Sequence, residues 1–313
     1  DIDSVMDGYF WLPSPWDIAD PDESELFIVY RDDTRIVTQR RTRGAWDSVV
    51  TCYHRDNPPN YGIDASRIHL PDVPTTFELV EGRKPLDSSP AGLTRAKQMM
   101  GDQGLVGIGL TSTLVLTSTQ DVFAYHDDPA SFEPILAQRL DDVERRFAWL
   151  MSLEDKPDFF CVGGSGTFIW QTEESFRHLA LPAVKRGIEL AAAAGVPTHV
   201  HSCGPQAELV RILAEETELT VIDPLEIPPM GDCNLADLKA RFGDKIVLKG
   251  NLHTTDVMLR GSVQDVIDAS KRAIDDGAEG GRFILSTGDQ CGRDTPDDNL
   301  HAMVETARTY GRY

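Results

Sequence analysis

Two side chains that commonly bind metal ions, His201 and Cys203, stand two positions apart near the end of a short apolar run. The run at 197–202 (Pro-Thr-His-Val-His-Ser) predicts a buried strand, and Gly204 predicts a turn directly after it. Side chains two positions apart on a strand point to the same face, so the imidazole and the thiol should converge on one point. His199 shares that face and is either a partner of the ligands or a core residue.

Polar side chains recur at the corresponding place after the other predicted strands, where the loops of a parallel barrel build its site. The candidates are Gly163, Gly164 and Ser165 after 159–162, Glu226 after 220–222, Asn251 and His253 after 245–248, and Asp289 and Cys291 after 282–285. Histidine, cysteine and carboxylate side chains are the types that bind zinc. Their recurrence at strand ends is more than a random scatter of these residues would be expected to give.

One imidazole and two thiolates form a familiar zinc-binding set that leaves one position open for a substrate. The sequence predicts zinc bound by His201, Cys203 and Cys291, with Glu226 as a fourth ligand or as a partner of the ligands. The long gap before Cys291 is easily met by chance, so buried thiols and a hydrogen-bonded core histidine are the alternative interpretation. His253 is either an acid–base group or a satisfied polar residue at a loop start.

From residue 93 onward, short apolar runs alternate with amphipathic stretches of helical period. The predicted strands are 105–110, 159–162, 198–201, 220–222, 245–248 and 282–285, and the predicted helices are 131–152, 173–194, 205–216, 233–242, 262–276 and 296–309. Continuous apolar runs are typical of a parallel sheet buried on both faces. These repeats, with two more strands expected from the N-terminal third, predict an α/β fold, a TIM (β/α)8 barrel, over 93–313. An open doubly wound sheet is the alternative, but the loop at 163–166 lacks the spacing of a dinucleotide site.

The first part of the chain, residues 1–92, predicts an irregular segment that packs on the barrel. Two apolar runs, 26–30 and 35–38, flank Asp32-Asp33 and predict a hairpin with its turn at these aspartates. Residues 55–93 are rich in Pro, Asp and Ser and predict an extended wrapping segment.

Composition limits the partners and the compartment. The 313 residues include 51 acidic and 30 basic side chains, for a formal net charge of −21, which argues against a nucleic-acid or anionic-membrane partner. No apolar run approaches the ~20 residues of a membrane span, and no signal-peptide pattern opens the chain. The five cysteines form no regular framework, which indicates a reducing compartment and a cytoplasmic protein. The first residue is Asp1 rather than Met, consistent with a chain that lacks its natural beginning.

Several segments together resemble the uroporphyrinogen decarboxylase superfamily. They are His201-Ser202-Cys203-Gly204, the run at 225–232 (Leu-Glu-Ile-Pro-Pro-Met-Gly-Asp), Gly250-Asn251, and 295–299 (Thr-Pro-Asp-Asp-Asn). Within that superfamily, the His-x-Cys pair is similar to the zinc-dependent, corrinoid-linked methyltransferases rather than to the haem-pathway decarboxylases. The resemblance implies a TIM barrel, zinc held by His201, Cys203 and a late cysteine, and a methyl group moved to or from a cobalamin.

The same resemblance implies the partners, a corrinoid-carrying protein or free cobalamin and a small thiol or O-, N- or S-methyl compound. The small residues Gly163, Gly164 and Ser165 are predicted to let the flat corrin approach the barrel mouth. Asn251, His253 and Asp289 are predicted to be catalytic. The sequence favours neither direction of methyl transfer.

Two departures from the family pattern leave alternatives open. The family's last cysteine directly follows a glycine at a fixed distance before Thr-Pro, whereas here that position holds Asp289, and Cys291 lies two residues later. Cys291 is the predicted third ligand, and an Asp289 oxygen in place of sulfur is the alternative, since zinc accepts both. The family's opening strand is not recognisable. The alternative functions are a metal-free decarboxylase of porphyrinogen-like acids and a non-catalytic corrinoid- or tetrapyrrole-binding barrel.

Overall fold

A computed structural model describes residues 24–42, 44–56, 60–68, 78–81 and 91–311. The described residues divide into two compact units, one within 24–81 and the other within 91–311. Part of the predicted N-terminal segment, 1–92, lies outside the described residues. Within the described ranges, no helix has both the length and the apolar character that crossing a lipid bilayer requires.

The smaller unit contains a five-stranded antiparallel sheet in the order β4-β3-β2-β1-β5. Its strands are β1 Ser24–Arg31, β2 Arg35–Thr42, β3 Ala45–His54, β4 Asn60–Asp64 and β5 Glu78–Glu81, and a 3₁₀ turn covers Ala65–Arg67. The predicted hairpin is β1–β2, and Asp32 fixes its turn by accepting hydrogen bonds from the amides of Thr34 and Arg35. Val37, Val50 and Cys52 form its core with neighbouring apolar residues.

This unit is more regular than the irregular segment expected there. Two strands, β4 and β5, lie in the stretch expected to be an extended wrapping segment, and both join the sheet. Pairing within the sheet satisfies the backbone hydrogen-bonding groups of β4 and β5. The Pro, Asp and Ser content of the stretch did not indicate this pairing. That the unit packs on the barrel stays a prediction.

The larger unit contains six parallel strands in sequence order, from β6 to β11. They are β6 Gly107–Gly109, β7 Phe159–Cys161, β8 Thr198–His201, β9 Val221–Asp223, β10 Val247–Leu252 and β11 Phe283–Thr287. Each overlaps a strand predicted from the sequence. Parallel strands in sequential order, with helices between them, make this a TIM-barrel-like α/β fold. The two further strands expected from the N-terminal third are not described in this sheet, because the described N-terminal strands pair with one another.

Helices cover the connections between these strands. They are α1 Ala91–Met100, α2 Thr119–Asp127, α3 Glu133–Ser152, α4 Thr167–Trp170, α5 Glu173–Leu179, α6 Leu181–Ala193, α7 Ala207–Glu216, α8 Leu235–Phe242, α9 Val263–Gly277 and α10 Asp297–Tyr310, with a 3₁₀ turn at Pro129–Phe132 and a π-helical turn at Thr254–Leu259. The predicted helix 173–194 is broken into α5 and α6 at Ala180. Pro182 lacks the N–H that would continue the ladder of hydrogen bonds, which explains the break.

The sheet fixes where the candidate residues lie. Side chains such as Phe160, Val200, Ile222 and Leu248 are completely buried in the core between sheet and helices. Because all six strands run in the same direction, their carboxyl ends and the residues that follow lie along the same edge of the sheet.

Candidate metal centre

Three potential metal ligands converge at the carboxyl ends of the strands. The Cys203 sulfur, a Glu226 carboxylate oxygen and an Asp289 carboxylate oxygen all lie within 4.8 Å of one another. Cys203 follows β8, Glu226 follows β9 and Asp289 follows β11, so three separate loops contribute one group each. A fourth donor is near, because Nε2 of His201 lies 3.8 Å from Oδ1 of Asp289.

A short hydrogen bond holds one of these groups, Glu226, in place. The backbone amide of Gly204 donates to the Glu226 carboxylate at 2.5 Å, which ties the loop after β8 to the loop after β9. The Ser165 side chain and the Gly166 backbone lie near the Cys203 sulfur and act to lower the pKa of its thiol. Ser165, predicted to bind the cofactor, therefore lies against the predicted metal ligand.

The surroundings of Cys203 and Glu226 raise the pKa values of both side chains. Burial raises the pKa of the Cys203 thiol, and the negative charges of Asp289 and Glu226 raise it further, whereas Ser165 and Gly166 oppose the shift. Burial also raises the pKa of Glu226, as does Asp289, while the Gly204 amide, His201 and His253 oppose the shift. Acidic groups crowded into a partly buried place hold their protons unless a cation neutralises them.

This donor set fits zinc. Thiolate, carboxylate and imidazole are the zinc ligands found in proteins. A bound divalent cation would reverse the unfavourable electrostatics that raise the pKa values of Cys203 and Glu226. His201 also has the support typical of a metal ligand, because its other ring nitrogen, Nδ1, lies 2.9 Å from a carboxylate oxygen of Asp223.

A buried charged cluster lies beneath the donors. The carboxylate of Asp223, which is 1% exposed, contacts Nδ1 of His201 at 2.9 Å, Nε2 of His199 at 3.1 Å and Nζ of Lys249 at 2.7 Å. Burial alone would raise the pKa of Asp223, but the neighbouring imidazoles of His199 and His201 and the charge of Lys249 hold it well below the usual range. Sequence reasoning missed Asp223 and Lys249. The signal in the sequence was the presence of charged residues directly beside apolar predicted strands, which could have indicated a buried charged cluster.

Cys291 does not join the converging donors, whereas Asp289, two residues earlier, does. Cys291 is half-buried, and burial raises the pKa of its thiol, an effect that the nearby Thr287 and Thr295 side chains oppose. The structure therefore places the Asp289 oxygen, and not the Cys291 sulfur, beside the other potential ligands. All five cysteines of the chain are free thiols.

Two of the predicted catalytic residues make structural contacts. Nδ1 of His253 accepts hydrogen bonds from the amides of Thr255 and Asp256, so His253 caps the π-helical turn. Its Nε2 is buried and has no hydrogen-bond partner among the residues that the structure describes. Asn251 donates from its side-chain amide to the carbonyl of Leu225 at 3.0 Å, which braces the loop after β9.

Packing restricts the two predicted corrin-contacting glycines, most strictly Gly163. A Cβ on Gly163 would lie 2.3 Å from the backbone nitrogen of His201, so only glycine lets the loop after β7 approach β8 this closely. A Cβ on Gly164 would lie 2.3 Å from the side-chain oxygen of Ser112. Packing alone accounts for their small size, and their contact with a corrin stays a prediction.

Comparison with known proteins identifies the part of the chain that carries this site. Residues 170–310 match the family model described as uroporphyrinogen decarboxylase (URO-D). This part of the chain is similar to the uroporphyrinogen decarboxylase family. The resemblance predicted from the sequence motifs is thereby confirmed, and the uroporphyrinogen decarboxylase region contains all four potential donors described above.

Relatives extend the similarity beyond the uroporphyrinogen decarboxylase region. A methylcobamide:CoM methyltransferase MtbA of Methanosarcina mazei is 28% identical over 268 residues, covering 84% of this chain and 70% of the relative. The protein of the same name from Methanosarcina acetivorans is 27% identical over 137 residues, covering 44% of this chain and 37% of the relative. A solved methyltransferase from Methanosarcina mazei shares the fold, with a TM-score of 0.55 at 16% identity, and covers 71% of this chain, which spans 63% of its length.

Proposed function

We propose that the chain is a zinc-dependent methyltransferase that moves a methyl group between a corrinoid, free or carried on a partner protein, and a small thiol or O-, N- or S-methyl compound. The observation that carries the proposal is the convergence of Cys203, Glu226 and Asp289 at the carboxyl ends of the strands. The alignment with a methylcobamide:CoM methyltransferase, which covers 84% of the chain at 28% identity, supports the corrinoid part of the proposal.

Zinc would be held by Cys203, Asp289 and His201, with Glu226 as a fourth ligand that the substrate displaces. When bound, zinc lowers the pKa of a coordinated thiol or polarises the heteroatom that carries a methyl group. The protein orients the set through the hydrogen bond from the Gly204 amide to Glu226, and Ser165 lies near Cys203.

The remaining predicted site residues would act on the substrates. Because Nδ1 of His253 accepts backbone amides, a neutral ring carries its proton on Nε2, so this side chain would donate a hydrogen bond rather than remove a proton. Asn251 would position the loop that carries Glu226, since it donates to Leu225 beside it. The loop at 163–165 would face the corrin.

The test is methyl exchange with methylcobalamin. The zinc-loaded chain is mixed with methylcobalamin and a panel of small thiols, and with reduced cobalamin and a panel of methyl donors, and the corrin absorbance is followed. The proposal expects a spectral change with at least one compound, dependent on zinc and lost in Cys203→Ala. Cys52→Ala, which alters a buried cysteine of the smaller unit, is the matched control.

Two outcomes would contradict the proposal. Exchange that is unchanged after complete removal of metal would exclude the zinc-dependent reaction. Cobalamin binding without methyl exchange across both panels would indicate a binding barrel instead of an enzyme.

A further inference from the structure

The layer of side chains directly beneath the candidate metal centre is charged. The interior of a parallel barrel is normally filled by branched apolar side chains. Here the strand register pairs His201 of β8 with Asp223 of β9, and pairs Ile222 with Leu248, which brings Lys249 of β10 beside Asp223. Asp223 and Lys249 are 1% and 7% exposed, so this cluster is sealed from solvent.

The hydrogen-bond chemistry of this cluster fixes one ring. An ionised carboxylate only accepts hydrogen bonds, so Nδ1 of His201, which is hydrogen-bonded to Asp223, must carry the proton. Oδ1 of Asp223 is 2.9 Å from Nδ1 of His201 and 3.1 Å from Nε2 of His199, and Oδ2 is 2.7 Å from Nζ of Lys249. In a neutral His201 ring with its proton on Nδ1, the lone pair is on Nε2, the atom that lies 3.8 Å from Asp289.

We propose that Asp223, itself held by His199 and Lys249, is a positioning residue that fixes His201 with its Nε2 lone pair directed at the metal ion. The inference rests on the proposed function, because it assumes an ion at the converging donors. It assigns roles to three residues, Asp223, His199 and Lys249, that do not touch the ion.

Stability alone does not account for this cluster. A buried ion pair is commonly replaced by apolar side chains of similar size without loss of stability, so packing does not require charge here. A carboxylate that holds the second nitrogen of a histidine ligand is a recurring feature of zinc sites, and its loss typically lowers metal affinity about 10–100-fold.

The first experiment measures zinc affinity by competition with a chromophoric chelator. The test variant is Asp223→Asn combined with Lys249→Met, which removes both charges and leaves neither partner buried alone. The matched control is Asp158→Asn combined with Lys97→Met. This pair has the same 2.7 Å separation, and Asp158 directly precedes β7, at the opposite end of the strand from the donors. The affinity of the test variant should fall about 10–100-fold, and that of the control should equal the wild type.

The second experiment is made on the wild-type chain, and a variant is needed only to assign the signals. Two-bond proton–nitrogen spectra of the metal-free wild-type chain report which ring nitrogen of each histidine is protonated, and His201→Gln assigns the signal. The inference expects the Nδ1–H form for His201, and an Nε2–H form would overturn it. This measurement decides the matter even if the double variant fails to fold.

The outcomes separate this inference from the proposed function. A wild-type chain that binds no zinc overturns both. A wild-type chain that binds zinc, with a folded test variant of equal affinity, overturns the positioning role of Asp223 and leaves the proposed methyltransferase in place. A variant that only melts earlier, with unchanged affinity, indicates a purely structural cluster.

Discussion

Nε2 of His201 and Oδ1 of Asp289 lie 3.8 Å apart, at the edge of the sheet where Cys203 and Glu226 also converge. Cys291 is absent from this group. The donors brought together therefore contain one sulfur, two carboxylates and an imidazole. Oxygen ligands are harder donors than thiolates, so a site of this composition should discriminate less strongly in favour of soft metal ions than a two-sulfur site.

The number of sulfur ligands can be read from cobalt. We expect the Co²⁺-substituted chain to show a sulfur-to-cobalt charge-transfer band with the intensity of one thiolate, because only Cys203 is placed to bind the ion. Cys203→Ser should abolish the band. Cys291→Ser is the matched control and should leave its intensity unchanged, and a band halved by Cys291→Ser would show that the loop rearranges to a two-sulfur site.

Chemical labelling should separate the cysteines by their surroundings. Burial raises the pKa of Cys233 to about 12, and its side chain is 3% exposed, so native protein should not be alkylated there near neutral pH. Cys203 is half-buried and should react slowly in the metal-free chain, because its pKa is also raised, and should be protected by zinc. Peptide mass spectrometry with and without zinc checks this, and equal labelling of Cys203 in both samples would contradict its role as a ligand.

Zinc affinity should rise with pH. The raised pKa values of Cys203 and Glu226 mean that the metal-free chain retains protons on these groups to higher pH than usual, and the ion must displace them. Below the pKa of the thiol, each displaced proton raises the apparent affinity about tenfold per pH unit. Chelator competition between about pH 6.5 and 8.5 measures the slope. Cys203→Ala should flatten it, and a flat profile for the wild type would argue that no thiol is deprotonated on binding.

Sequence periodicity predicted most of the parallel sheet and the region of the site. The rule that loops at the carboxyl ends of parallel strands build the site placed Cys203, Glu226 and Asp289 together before any coordinates. The choice between Asp289 and Cys291 could not be made in this way. The two residues share one loop, and which of them faces the ion depends on turns that the residue spacing does not determine.

The charged layer was missed for a different reason. The predicted strands 220–222 and 245–248 each end one residue before these side chains, Asp223 and Lys249. Charged side chains are seldom buried inside a sheet, so the sequence pattern gave no reason to extend the strands to include them. Their pairing depends on the register between β9 and β10, a long-range property that local patterns do not contain. The five-stranded N-terminal sheet was missed similarly, since β5 pairs with β1 across a long sequence separation.

The close approach of β7's loop to β8 should make Gly163 intolerant of substitution. A Cβ there would meet the backbone nitrogen of His201 at 2.3 Å, and backbone of a buried strand cannot move aside as a side-chain tip can. We expect Gly163→Ala to lower the free energy of unfolding by about 1–3 kcal/mol, the usual range for overpacking, and to weaken zinc binding by displacing His201. The matched control is Gly109→Ala at the end of β6, where an added Cβ meets nothing within 4 Å. Urea unfolding and chelator competition measure both effects. Equal stability of the two variants would contradict the close approach of the loop to β8, in which a Cβ on residue 163 lies 2.3 Å from the backbone nitrogen of His201.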